Sequence, residues 1–148
     1  MNIKRGYCDG LRILQGLIGN HYYLEDVNLQ MVTTKLFNIK EEDLAKLSYF
    51  KREIHEKKRA LFERIIPEIA DYLNLGKNFT YEQFVLEILE FIALKKEIAR
   101  FEVYNFDKFC KLIKNTPMPK SENILTKVGI DFYEKRAIFV EEIAKILI

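Results

Sequence analysis

The chain has 148 residues, of which 49% are hydrophobic and 31% charged, and its formal net charge is +2. This length suits one domain with a single core, and the composition excludes a wholly disordered chain. A charge so close to zero gives the molecule as a whole no strong attraction to nucleic acid or anionic membranes. Any such affinity has to come from a local cluster of basic residues.

The turn-forming residues are too few for an all-β protein, because the sequence contains six glycines and three prolines. Over most of the chain, apolar residues recur at spacings of three and four, which is typical of helices with one buried side. We therefore expect an all-α fold, a single-domain helical bundle of about five or six helices that covers residues 1–148.

The first forty residues predict two helices. Residues 3–18 have helical apolar spacing, although each of the three glycines within the range weakens a helix by roughly 1 kcal/mol relative to alanine. Residues 19–23 predict a turn, and residues 24–37 predict the second helix. Two helices joined by a turn also permit a helix-turn-helix interpretation, in which the second helix would contact DNA.

A longer helix is predicted over about residues 41–66. Asn38 and Glu41 have the spacing of a capping box, in which each side chain bonds a backbone amide at the start of a helix. Pro67 removes an amide donor and disfavours helical geometry before it, so we expect a kink or a break there. A short helix over residues 68–75 and a turn near residues 76–80 should follow.

The strongest local signal of the sequence follows that turn. Thr80 and Gln83 form a second capping box, and Phe79 and Phe84 have the spacing of a hydrophobic staple. The helix that begins here is apolar on almost every side between Phe84 and Leu94. It should therefore be a central helix with neighbours on several sides.

The last third of the chain predicts two more helices and a linker between them. Asn105 is placed to cap a helix that ends near Ile113. The linker is predicted near residues 115–121, which contain two of the three prolines. A final helix should run from about residue 121 to the end.

The sequence contains no motif of a metal site or cofactor site. It has two histidines, His21 and His55, and neither has the spacing of a zinc motif. Glu87 and Glu90 present carboxylates on neighbouring helical turns, but the Glu-x-x-His pairs of carboxylate-bridged metal sites are absent. The glycines do not have the spacing of a phosphate-binding loop. We expect no metal and no cofactor.

Catalysis by a cysteine is the one enzymatic alternative that the sequence leaves open. Cys8 could act with His21 if the first two segments fold together, but no local signature of a nucleophile supports this pair. We expect no enzyme. Cys8 and Cys110 lack disulfide-type or metal-type spacing, which favours a reducing, cytoplasmic location. No apolar run has membrane-spanning length.

One segment contradicts the apolar pattern of its own predicted helix. On a helical projection of residues 44–66, Lys51, His55 and Lys58 fall within or beside the apolar sector, flanked by Arg52 and Arg59. Three explanations remain open. The lysine stems could cover the core while their amines reach solvent, the basic groups could pair with glutamates of another helix, or they could bind the phosphates of nucleic acid. The candidate internal partners are Glu87, Glu90 and Glu97.

These observations favour a non-catalytic protein that acts as a small subunit or adaptor by binding another protein chain or a second copy of itself. The apolar end of the chain, Ile146, Leu147 and Ile148, is the candidate partner-binding segment because it needs burial somewhere. The alternative is a nucleic-acid-binding accessory protein that uses the basic patch of Lys51, Arg52, His55, Lys58 and Arg59.

Overall fold

The computed structural model describes residues 3–50, 55–119 and 132–148. Within these residues the chain is mostly helical, with seven helices, one short 3-10 turn and a small two-stranded sheet. In chain order, the helices and strands are α1 (Ile3–Gln15), β1 (Tyr23–Glu25), α2 (Leu29–Phe37), α3 (Glu41–Ala45), α4 (residues 57–72), α5 (Tyr81–Lys95), β2 (Val103–Asn105), α6 (Phe106–Asn115) and α7 (Phe132–Leu147).

The prediction of a purely all-α fold is wrong, because β1 and β2 form a parallel pair. Both strands carry aromatic or branched residues, which favour extended backbone. The second predicted helix consequently begins at Leu29 and not at residue 24, and the Asn28 side chain accepts a hydrogen bond from its first turn. The paired residues are Tyr23 with Val103, Leu24 with Tyr104 and Glu25 with Asn105.

The helix-turn-helix interpretation does not fit this connection. Residues 16–28 separate α1 from α2 and include strand β1. A helix-turn-helix motif joins its two helices by a turn of about three to four residues. Helix α1 contacts the sheet, whereas α2 packs on the helices Tyr81–Lys95 and Phe132–Leu147.

Helix α5 is the central helix that the sequence predicts. Its capping box is confirmed: the Thr80 hydroxyl accepts the Gln83 amide at 3.1 Å, and the Gln83 side chain accepts the Thr80 amide at 3.0 Å. The rings of Phe79 and Phe84 lie 6.1 Å apart, as a hydrophobic staple requires. Helices α2, α6 and α7 pack around α5. Its fully or almost fully buried residues are Phe84, Val85, Leu86, Ile88, Leu89, Glu90, Ile92 and Ala93.

The single helix predicted over residues 41–66 is wrong. Helix α3 is short, and the backbone amide and hydroxyl of Ser48 both donate to the Glu142 carboxylate of α7, at 2.9 and 3.0 Å. This bond takes the amide that would otherwise continue α3. Glu56 has left-handed backbone with φ of 56°, so a right-handed helix can begin only after it. The predicted capping box at Asn38 is also absent, since Asn38 ends α2.

Of the kink or break expected at Pro67, the break does not occur, because the chain stays helical on both sides of Pro67. Helix α4 changes from α-helix at Lys57–Ala60 to π-helix at Leu61–Ile65 and back to α-helix at Ile66–Tyr72. Pro67 lies in the first turn of the last segment, directly after the π-helical turn. A π-helical turn is one way in which a helix accommodates a local irregularity. The connection to α5 then occupies residues 73–80.

The region of the predicted linker is only partly described. Helix α6 extends to Asn115, capped as predicted by the Asn105 side chain at its start. Residues 116–119 are not helical. The predicted start of the last helix near residue 121 lies outside the described residues, and α7 is described from Phe132 onward.

The sheet separates two hydrophobic cores of unequal size. Side chains alternate along a strand, so Leu24 and Tyr104 join the main core while the neighbouring pair, Tyr23 and Val103, faces the other way. The smaller core on that second side also contains Cys8 and Leu17, with Leu11 and Phe101 packed against it. Helix α1 is thus held on the sheet by a few residues and lies apart from the main bundle.

The capping box gives the first testable prediction. Replacing Thr80→Ala removes the side-chain acceptor at the start of α5 and should lower the free energy of unfolding by about 1 kcal/mol. Thr80→Ser retains the hydroxyl and should lower the free energy of unfolding by only about 0.3 kcal/mol. Urea-induced unfolding of the two variants and the wild type measures the difference. Equal losses for Ala and Ser would contradict the role of the hydroxyl.

Candidate functional site

One side of α1 is an exposed apolar face. Four large hydrophobic side chains on it are open to solvent: Ile3 is 88% exposed, Tyr7 68%, Ile13 84% and Leu14 83%. At about 100° per residue, these four share roughly 120° of the helix surface with Gly6 and Gly10. None of the six residues is charged. We call Ile3, Gly6, Tyr7, Gly10, Ile13 and Leu14 the α1 face.

The opposite side of α1 explains why this face points outward. Cys8 is buried in the smaller core. Arg12 lies over the Tyr23 ring, with its guanidinium carbon 4.2 Å from the ring centroid, and donates to the Tyr22 carbonyl at 3.1 Å. The Tyr23 hydroxyl donates to the Asp9 carboxylate at 2.6 Å. Because these contacts lie on the side opposite to the α1 face, they fix the rotation of the helix about its axis.

The two glycines of the α1 face serve no packing purpose within the described residues. A Cβ atom added at Gly6 or Gly10 would meet no other atom within 4 Å. Both positions have helical backbone, where glycine is less favourable than alanine by roughly 1 kcal/mol. They leave the helix backbone open to close approach from outside, as small residues do where two helices pack tightly.

The predicted basic patch is only partly described, and its described members are on the surface. Lys51 and Arg52 lie outside the described residues, while His55, Lys58 and Arg59 are exposed. Arg59 pairs with two carboxylates of its own segment, Glu56 at 3.4 Å and Glu63 at 3.1 Å. Its charge is therefore already partly compensated. The placement of His55 and Lys58 in an apolar sector is wrong, because the continuous helix on which it depended does not form.

Two of the three glutamates proposed as internal partners of that patch, Glu87 and Glu90, have other partners. Glu90 is fully buried and accepts the backbone amides of Asn20, at 2.9 Å, and of His21. Glu87, one turn earlier, accepts from the Asn20 side chain at 3.1 Å and lies 3.7 Å from the His21 ring nitrogen. Glu97 makes no ion pair within 4 Å among the described residues. None of these three glutamates therefore pairs with His55, Lys58 or Arg59.

The buried Glu90 carboxyl holds the loop before β1. Burial raises the pKa of Glu90 above its ordinary value, and the two amide donors oppose this shift without cancelling it. Gly19 allows the loop to form, because it has φ of 120° and a Cβ atom there would lie 2.3 Å from the Tyr22 carbonyl oxygen. These contacts serve to position the loop and β1.

The chain's last residues provide less free surface than the sequence suggests. Leu147 is fully buried, and Ile146 and Ile148 are partly buried against the main core. The burial that this segment needs is thus largely supplied inside the chain. The need for burial was the main reason to propose this segment as partner-binding, and that reason no longer holds. The α1 face, by contrast, was not anticipated.

The pair of Cys8 and His21 is not brought into contact. Cys8 is packed in the smaller core, and the His21 ring faces Glu87 of α5. Cys110 is partly buried, and burial together with the nearby Asp107 raises the pKa of its thiol to about 11. In the part of the chain that the structure describes, no three His, Cys, Asp or Glu residues are grouped so that they could hold a metal ion.

Sequence reasoning missed the α1 face because helical apolar spacing does not by itself show whether the apolar side of a helix is buried. The apolar spacing of Ile3, Tyr7 and Leu14 is real, but these residues point to solvent. The signal that could have shown this is on the other side, where Asp9 and Arg12 lie next to Cys8. Tyr23 of the strand contacts both side chains, and the Tyr22 carbonyl accepts from Arg12, so this position is favourable through residues that lie outside the helix.

Comparisons with known proteins identify no relative: no family model, no curated protein and no solved structure matches this chain. Among the described helices, none is both long enough and apolar enough to cross a bilayer. The function has to be inferred from the chain's own surfaces.

The role of Glu90 gives the second prediction. Glu90→Ala leaves the Asn20 and His21 amides without their acceptor and should lower the free energy of unfolding by about 2–3 kcal/mol. Glu87→Ala, one turn away on the same helix, removes only partly exposed contacts and should cost less than about 1 kcal/mol. Urea unfolding of both variants near neutral pH measures the difference. Comparable losses would show that Glu90 does not anchor the loop.

The third prediction concerns pH. Because the pKa of Glu90 is raised in the folded protein, the folded state binds more protons than the unfolded state above the ordinary value of 4.5. Its stabilising contribution is complete below that pH and declines as the pH rises through the folded pKa. The difference in unfolding free energy between wild type and Glu90→Ala should thus be larger at about pH 5 than at about pH 8. A difference that is constant or grows with pH would contradict this.

Proposed function

We propose that this chain is a non-catalytic protein-binding module, a small subunit or adaptor, that inserts α1 into an apolar groove of a partner protein. The observation that carries the proposal is the exposure of Ile3, Tyr7, Ile13 and Leu14 on one uncharged side of a helix. Isolated exposed hydrophobic residues are ordinary, but a contiguous apolar patch indicates an interaction site. Tyr7 lies four residues after Ile3 and Leu14 seven residues after Tyr7, and both spacings are typical of helices that bind in grooves.

The size of the α1 face favours a groove over a second α1. Burying the four large side chains hides about 100 Å² of apolar surface each, or roughly 400 Å² per chain. Two copies that pair through α1 alone would hide roughly 800 Å², less than the ~1,200 Å² of a stable specific interface. A groove that encloses the helix on both flanks covers more area. Gly6 and Gly10 would let its walls approach the backbone.

The rigid mounting of α1 also supports this function. Arg12 and Asp9 fix the rotation of the helix through Tyr23, so the anchors are held outward before any partner binds. A helix that is already formed and held in place loses less conformational entropy on binding than a helix that must first form. We further propose a reducing, cytoplasmic location, supported by the free thiols of Cys8 and Cys110.

The nucleic-acid alternative has weaker support. Arg59 is engaged by Glu56 and Glu63, and phosphate would have to compete with both carboxylates. His55 and Lys58 are exposed but provide at most two charges. We therefore place protein binding through the α1 face first.

The fourth prediction tests the α1 face with matched variants. Leu14→Glu puts a charge within the face, whereas Gln15→Glu adds the same charge at the next exposed position, outside the face. The tagged wild-type protein, captured from its native cells, should retain a partner whose amount falls at least about tenfold with Leu14→Glu, since burying an unpaired charge costs several kcal/mol. The Gln15→Glu variant should retain it.

Quantitative mass spectrometry of the captured proteins gives the readout, and sedimentation velocity of each purified variant gives the oligomeric state. If no protein is lost on Leu14→Glu, or if Gln15→Glu has the same effect, the α1 face is not the binding surface. A dimer that Leu14→Glu dissociates would show that the occupant is a second copy.

A further inference from the structure

A second surface lies between α2 and α6 and, unlike the α1 face, carries charged side chains. It is an open groove of about 380 Å³ that ends at the last residues of α7. Its floor is apolar and its rim carries lysines from both helices. We call it the lysine groove, and its lining includes Met31, Val32, Lys35, Phe106, Cys110, Lys111, Lys114 and Leu147.

The lysines of this groove make no ion pair within the part of the chain that the structure describes. Lys35, Lys111 and Lys114 are exposed, and none has a carboxylate within 4 Å among the described residues. Asp107 is the one acidic side chain of the lining, so positive charge is in excess.

Two lysines on the other side of Ile148, Lys145 and Lys96, do have partners within the chain. Lys145 pairs with Glu141 at 3.6 Å, and the Lys96 amine donates to the Ile113 carbonyl at 2.5 Å. Uncompensated charge is therefore concentrated on the α2 and α6 side, above an apolar floor.

We propose that the lysine groove binds an acidic amphipathic helix of a partner protein, with apolar side chains on the floor and glutamate or aspartate beside the lysines. Helix α6 has ten residues and is about 15 Å long, which matches two to three turns of a bound helix. Charge complementarity at the rim selects the partner and its orientation.

The chemistry of the groove argues against the chain's own α1 as the occupant. Helix α1 carries Lys4, Arg5 and Arg12 against the acidic Asp9, so its excess positive charge would meet the lysines of the groove with like charge. The lysine groove and the α1 face are thus two surfaces for different partners. This proposal does not depend on the function proposed for α1.

The fifth prediction uses a fluorescent synthetic peptide of about twelve residues, with leucines on one helical side and glutamates on the other. It should bind the full chain, and Lys111→Glu with Lys114→Glu should weaken binding about tenfold or more. The control, Lys77→Glu with Lys108→Glu, changes the same two charges at exposed positions outside the groove and should weaken binding less than about threefold. Met31→Ser should also weaken it without any change of charge.

Fluorescence anisotropy measures binding, circular dichroism checks that each variant folds, and amide shifts in NMR spectra locate the contact at α2 and α6. Absence of binding, equal losses in both double variants, or equal binding of the peptide with lysine in place of glutamate would overturn the proposal. Tighter binding of a single-stranded RNA of similar length, lost with the same two lysines, would assign the groove to nucleic acid instead.

Discussion

The fold depends on a buried carboxylate. Glu90 lies in the middle of α5 and is fully enclosed, and it accepts two successive backbone amides from the loop that precedes β1. A charge in such a position is unfavourable unless donors surround it. The loop supplies those donors, and Gly19 gives it the backbone that brings them there. In this way the central helix determines where β1 begins, although some seventy residues separate them in sequence.

The position of β1 determines the orientation of α1. Successive side chains of a strand point to opposite sides, so once Leu24 enters the main core, Tyr23 must face away from it. Tyr23 then provides the surface on which Arg12 stacks and to which Asp9 is bonded. Because Arg12 and the half-exposed Asp9 contact Tyr23 of the strand, the apolar side of α1 is left for solvent. The exposed α1 face is thus a consequence of the loop and the strand, and it is not an unfinished part of the core.

The sequence predicted those parts of the fold whose determinants are local. The Thr80 capping box, the Phe79 staple and the Asn105 cap each depend on residues within five positions, and each is present. The errors share the opposite property. Helix 41–66 fails because Ser48 finds an acceptor in Glu142, ninety-four positions away, and strand β1 exists because it pairs with residues 103–105. Helical periodicity carries no information about such partners.

The same distinction separates misleading from informative charges. A run of basic residues in sequence suggests a binding patch, yet within a helix such a run is often interleaved with glutamates three and four positions away, which compensate it locally. Arg59, between Glu56 and Glu63, is this case. Lys35 and Lys114 are seventy-nine positions apart and form no pattern in sequence, but α2 and α6 bring them to one groove, where no carboxylate within 4 Å among the described residues compensates them. Charges that converge from separate helices and remain unpaired above an apolar floor are therefore the stronger indication of a partner, because the fold has not used them.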